Sequence, residues 1–139
     1  MEYHYAGHCQ CKQVYCEIKL PLNLQNFSAR ACDCDFCTER KINYLSASDA
    51  EIFIKSKTPL LTLQQGSKQA KFLTCSQCKT VIAAAIELNN ALIGAINSTL
   101  LSNAQLLLPS TVASPKLLSS KEKFERWQNV WVPISLTTT

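Results

Sequence analysis

The sequence predicts a mainly β domain, built of many short strands with one late helix. Three observations carry that expectation. Val14, Cys16, Ile18 and Leu20 alternate with Tyr15, Glu17 and Lys19, and this period of two marks a strand with one buried face. Two apolar stretches, Thr80 to Leu88 and Ala91 to Ile96, flank Asn89-Asn90, a residue type that tolerates φ > 0 and therefore suits a hairpin turn. Ser119-Ser120-Lys121-Glu122 matches a capping box; Phe124, Trp127 and Trp131 follow at i, i+3 and i+7, and Pro133 is expected to stop the helix.

The remaining elements follow in order. Pro21 ends the first alternating strand, and Asn23 to Ser28 reads as a loop. Ala29 to Ala31 leads into a cysteine cluster, and Ile42 to Leu45 leaves it as a strand. Ile52 to Ile54 and Leu60 to Leu63 are short strands, and Gln65-Gly66-Ser67 is a turn. Lys71 to Thr74 precedes the pair Cys75 and Cys78. Asn97 to Pro115, with two prolines, reads as an irregular surface segment. The aromatic residues of the helix are expected to dock it onto the core. A length of 139 residues with 47% apolar content fits one domain over 1–139.

Charge and composition narrow the function classes. The net charge of +4 is a mild excess with no run of five like charges, so neither a nucleic-acid arm nor a basic patch is indicated. A small anionic substrate fits that bias at least as well as a polyanion. Val81 to Ile86 is the longest apolar run and is far too short to cross a bilayer. Met1-Glu2-Tyr3-His4-Tyr5 is polar with no apolar stretch behind it, so the expectation is a chain without an export signal, read as cytoplasmic. Eight cysteines in such a chain point to reduced, metal-bound thiolates rather than disulfides.

The cysteines fall into groups: Cys9 and Cys11, then Cys16 alone, then Cys32, Cys34 and Cys37, then Cys75 and Cys78. A structural zinc takes four ligands, and Cys9, Cys11, Cys75 and Cys78 supply them. Three thiolates remain together in Cys32-Asp33-Cys34-Asp35-Phe36-Cys37. Three protein ligands leave one corner of a zinc tetrahedron open, the arrangement that permits chemistry. Cys16 shares the apolar face of its strand and reads as core; the alternative is a fourth ligand that would close the second site. His4 and His8 read as solvated or capping residues.

Gly7-His8-Cys9-Gln10-Cys11, the stretch Ala31 to Cys37, and Cys75 to Cys78 resemble the glutathione-dependent formaldehyde-activating enzyme family, also called the GFA or CENP-V family. The resemblance covers about residues 7–96 and implies the Mss4-like fold, small antiparallel sheets around zinc. Carried over by position, Cys9, Cys11, Cys75 and Cys78 would hold a structural zinc, and Cys32, Cys34 and Cys37 a catalytic one. The sequence departs from the family where glycines usually follow the cysteine pairs: Lys12 and Lys79 stand there. Asp33 replaces a frequent histidine, and the basic pair Arg40-Lys41 comes two residues late, after Thr38-Glu39.

The resemblance implies a zinc-dependent carbon–sulfur lyase or synthase. Its co-substrates would be a thiol, such as glutathione, and formaldehyde or another small aldehyde. Arg40 and Lys41 are the candidate cations for the thiol cofactor. Two rivals stand beside it. A non-catalytic, chaperone-like zinc module of the same fold requires a closed second site and an exposed apolar patch. A redox enzyme requires a free nucleophilic cysteine, for which Cys16 is the one spare.

Overall fold

The computed structural model describes residues 3–32, 35–64, 70–113 and 119–138. The expected mainly β chain with a late helix is what it adopts. Strands β1 (Tyr3–His8) and β2 (Val14–Leu20) form an antiparallel hairpin that places Gly7 opposite Cys16. β5 (Glu51–Ser56) pairs antiparallel with the other edge of β2. The long hairpin of β8 (Val81–Leu88) and β9 (Ala91–Asn97) turns at Asn89 and Asn90, whose φ angles of 52° and 65° are those of a type I′ turn. β7 (Lys71–Thr74) and β6 (Leu61–Leu63) extend the sheet from β8. β3 (Ser28–Cys32) and β4 (Asn43–Leu45) join it on the other side, where β4 pairs with β9.

The late helix, α2 (Ser120–Val130), starts at the predicted capping box. Ser119 Oγ accepts from the Glu122 N–H at 3.2 Å, and Glu122 Oε1 accepts from the Ser119 N–H at 2.9 Å. Trp127 is buried against Ala70 and Ile86 and stacks on Trp131 with ring centroids 4.7 Å apart, as the docking expectation required. Phe124 lies outside the residues whose side chains are described, and Gln65-Gly66-Ser67 lies outside the described residues altogether.

Four expectations are corrected. The strands do not form separate small antiparallel sheets: the described residues make one eleven-stranded sheet of mixed sense. Pro133 does not merely stop the helix. The chain continues from Trp131 into β11 (Val132–Thr138), which pairs with β9 at Val132 and Pro133 and then runs parallel to β5. Proline lacks an N–H, and Pro133 sits where the strand changes partner and a ladder donor is least needed. The segment read as irregular contains β10 (Leu108–Ala113), parallel to β3. A short helix, α1 (Asp35–Arg40), lies within the cysteine cluster itself.

Two apolar clusters fix the geometry of the candidate site. The larger joins Val14, Cys16, Ile18, Ile52, Ile54, Leu45, Ile82 and Ile96. The smaller joins Cys37, Ile42, Tyr44, Phe72, Val81, Ala84 and Ala95. Neighbouring residues of a strand face opposite ways, so Leu45 enters one cluster and Tyr44 the other. β8 is covered on both faces, which is why Val81 to Ile86 is a continuous apolar run rather than an alternation. Gly94 lies where β8, β9 and β11 crowd together, and a Cβ there would meet the Ala84 carbonyl.

Candidate metal centre

Two tight turns build the first site. In the turn between β1 and β2, the Cys9 N–H donates to the Val14 carbonyl at 3.0 Å, and the Lys12 N–H donates to the Cys9 carbonyl at 3.1 Å. The turn between β7 and β8 repeats the plan. There the Cys75 N–H donates to the Thr80 carbonyl at 2.9 Å, and the Lys79 N–H donates to the Cys75 carbonyl at 3.0 Å. In each turn a lysine takes the left-handed conformation, with φ of 64° at Lys12 and 62° at Lys79. These are the positions where the resemblance leads one to expect glycine. Gly7 lets the first turn approach the Leu100 backbone, with which a Cβ would collide.

The turns bring four sulfurs together: the Sγ atoms of Cys9, Cys11, Cys75 and Cys78 all lie within 4.8 Å of one another. Cys9–Cys11 and Cys11–Cys75 are separated by 3.7 and 3.6 Å. Thiolates about 2.3 Å from a tetrahedral zinc stand about 3.8 Å apart, so the donor set and its spacing fit one zinc ion. The surrounding dipoles favour thiolate. Burial raises the pKa of Cys78, but the Thr80 hydroxyl at 3.0 Å and the N–H groups of Cys11 and Thr80 outweigh it and bring the thiol to about 6. At Cys11 the Gln13 N–H pulls downward, while burial and the Cys75, Cys78 and Cys9 sulfurs push the thiol up to about 11. The cluster thus holds negative charge readily on Cys78 and resists a second, and a divalent cation relieves that repulsion.

The left-handed lysines lead to a direct expectation. A non-glycine residue at such φ costs about 1–2 kcal/mol, and an exposed charge contributes less than about 1 kcal/mol. Lys79 is exposed, and its Nζ donates to the Ser76 carbonyl at 2.8 Å. Lys79→Gly is therefore expected to raise the melting temperature of the metal-loaded protein by a few degrees in calorimetry. A lower melting temperature would show that the lysine charge outweighs the backbone strain.

Cys16 belongs to the larger core cluster, and its thiol is driven up to about 12, chiefly by burial. It lies outside the four-sulfur group, as the core reading required. His4 Nδ1 lies 3.1 Å from Glu17 Oε1, and His8 Nδ1 lies 2.8 Å from the Cys9 carbonyl, positions suited to surface and capping roles.

Of the second cluster, Cys34 lies outside the described residues, and Cys32 is placed by its backbone as the last residue of β3. Cys37 is carried by α1 and is buried, with Sγ 3.2 Å from the Tyr44 Oη. Its sulfur belongs to the smaller apolar cluster and not to the four-sulfur group. Arg40 and Lys41 stand exposed at the C-terminal end of α1, with Arg40 Nη1 3.9 Å from Glu39 Oε2. Sequence reasoning did not single out Tyr44 or Thr80. Thr80 carries a usable signal, a hydroxyl two residues past the last cysteine of the pair; Tyr44 carries none, because strand pairing brings it to Cys37.

No family model matches the chain. No curated protein matches it either. Among solved structures it is similar to a Rhodobacter sphaeroides protein, a structural-genomics target, at 26% identity and a TM-score of 0.53. That likeness covers 76% of this chain and 99% of the other, and it is a likeness of fold. Among the described residues, no helix is long and apolar enough to cross a membrane.

Proposed function

We propose that this protein is a zinc-stapled enzyme whose second cysteine cluster, Cys32, Cys34 and Cys37, activates a thiol such as glutathione for reversible addition to a small aldehyde such as formaldehyde. The observation that supports this most is the separation of the sulfurs. Four are committed to one compact cluster, while Cys37 stands apart on another apolar face, hydrogen-bonded to Tyr44. The residue-by-residue resemblance at Cys9, Cys11, Cys32, Cys34, Cys37, Cys75 and Cys78 supports the same division of roles.

A zinc ion held by three of these thiolates would lower the pKa of an incoming thiol from about 8.5, so that it is ionised at neutral pH. The chain supplies the rest. β3 and α1 fix the two ends of the cluster, and the Tyr44 hydroxyl can donate to Cys37 Sγ as a thiolate. Apolar packing from Phe72, Val81 and Ala84 keeps water from that sulfur. In the forward direction the ionised thiol forms a carbon–sulfur bond to the carbonyl carbon. The π pair moves to oxygen, which takes a proton from water, and an S-hydroxyalkyl adduct results. The reverse breaks that bond and returns both reactants.

A second reading, a zinc-stapled interaction module, is favoured by exposed leucines at or beside two short 3-10 turns, Leu24–Asn26 and Ala104–Leu106: Leu22 at 53%, Leu106 at 38% and Leu108 at 47%. Cobalt substitution separates the two. Absorption bands of the cobalt protein report ligand number and type, and adding glutathione is expected to change them, while Cys34→Ser should abolish or alter the response. A wild-type spectrum indifferent to glutathione and to smaller thiols would remove thiol activation and leave the interaction module.

A further inference from the structure

Lysines scattered along the sequence meet at one end of the molecule. The Lys57 N–H donates to the Gln13 carbonyl at 2.9 Å, which sets Lys57 against the turn that carries Lys12. Thr58 Oγ1 lies 3.1 Å from Ser76 Oγ, in the turn that carries Lys79. The Sγ atoms of Cys11 and Cys75, 3.6 Å apart, join those two turns directly. Lys55 stands just before this junction, on β5. It pairs with Tyr15 of β2, which pairs in turn with His8 of β1. Residues directly opposite in an antiparallel pair project from the same face, so His8, Tyr15 and Lys55 form a row across one face of the sheet. Val14 and Cys16 point the other way, into the core.

That end of the sheet is open and positive. Lys12, Lys55, Lys57 and Lys79 are exposed, and none forms an ion pair among the described residues. The stretches 7–16, 55–59 and 74–81 contain no Asp or Glu. Glu17, the next carboxylate along β2, is engaged by His4 at 3.1 Å. A zinc ion with four thiolates is doubly negative, and the four lysines exceed that charge. Lys12 and Lys79 also hold left-handed backbone that glycine would take without strain, and strain retained at an exposed cation points to a use for the cation. Among these charges the Tyr15 ring is 44% exposed. The His8 ring steadies it at 6.0 Å between centroids, inclined by 67°.

We infer that this end of the sheet binds single-stranded nucleic acid, with the lysines on phosphates and the Tyr15 ring stacked on an unpaired base. The cations come from two turns, a strand and the segment that follows it, so they suit a chain of phosphates better than one small anion. An exposed aromatic ring among lysines is the arrangement that holds splayed bases, whereas the bases of a duplex are already stacked on one another. Charge and stacking carry the recognition, so it tolerates many sequences.

Fluorescence anisotropy of a labelled oligodeoxythymidylate about 20 nucleotides long, titrated with the zinc-loaded protein, tests this. Binding is expected at about 50 mM salt, and log K should fall against log salt with a slope of about −2 to −3, the signature of three or four phosphate contacts on a single strand. Lys55→Gln and Lys57→Gln should each weaken binding about threefold or more and make the slope shallower by about 0.7. Tyr15→Ala should weaken binding about tenfold and leave the slope unchanged. Lys121→Gln, on the helix that docks at Ala70 and Ile86, should change neither. Zinc content equal to that of the wild type separates a lost contact from a lost fold in each variant. The matching duplex should bind more weakly than the single strand. No binding by the wild type, full affinity in Tyr15→Ala, equal weakening by Lys121→Gln, or equal affinity for the duplex would each overturn the assignment. Binding to phosphatidylserine vesicles with none to the oligonucleotide would also overturn it and make the same lysines a membrane contact.

Discussion

Cys78→Ser should abolish zinc binding at the Cys9, Cys11, Cys75 and Cys78 cluster, which can hold one metal ion, and lower the melting temperature of the zinc-loaded protein by about 10 °C or more. A serine hydroxyl does not ionise near neutral pH, so the site loses one of its four thiolates. It loses the sulfur best prepared for negative charge, since Thr80 and the Cys11 N–H bring that thiol to about 6. Zinc bound in such a cluster is worth about 10–16 kcal/mol in small zinc-dependent folds. Forfeiting even about 3 kcal/mol moves the transition of a chain this size by roughly 10 °C. The topology makes the loss severe. Cys11 and Cys75 are 64 residues apart, and among the described residues the hairpin β1–β2 shares no ladder with β7–β8. A metal bound by all four sulfurs would tie these two regions together and close a long loop of the unfolded chain. Calorimetry and elemental zinc analysis measure the two effects, and treatment of the wild type with a strong chelator should reproduce them. A Cys78→Ser protein with full zinc content and a wild-type transition would remove the structural role of this cluster.

At the second cluster the balance of effects should reverse. Cys37→Ser is expected to cost one zinc equivalent and at least about a hundredfold in aldehyde–thiol turnover, while the first metal stays bound. Even loss of groups that only orient metal ligands costs about 10–100-fold, and loss of a ligand itself costs more. Stability should fall by only about 1–3 kcal/mol, the cost of placing a hydroxyl where a buried thiol had packed. Tyr44→Phe keeps every sulfur and removes the hydroxyl 3.2 Å from Cys37 Sγ. It should retain both metals and lower turnover by about tenfold. Turnover is read as the rate of S-hydroxymethyl adduct formation from glutathione and formaldehyde. Wild-type turnover in Cys37→Ser would dismiss this sulfur from the reaction, and the exposed leucines would then direct attention to a binding role.

Much of the architecture was written in local chemistry. The alternation at Val14 to Leu20, the asparagine pair of the β8–β9 turn and the Ser119–Glu122 capping box each act over a few residues and need no distant partner. The four-cysteine site was also legible, because the spacing of thiolates in a turn carries the ligand geometry with it. The strand β11 was missed because Pro133 is a helix stop by local rules, although Val132, Ile134 and Leu136 do alternate. Its place between β5 and β9 depends on partners many residues away and on Gly94, which leaves room for it. The strand β10 was missed for a related reason: a parallel partner is reached only by a long connection, and pairing with β3 stabilises a segment whose composition reads as a loop. The approach of Tyr44 to Cys37 likewise arises only once β4 and α1 have packed. A residue's own sequence neighbours set its backbone preference and its power to bind a metal. Strand register and helix docking alone decide which sulfur meets which hydroxyl.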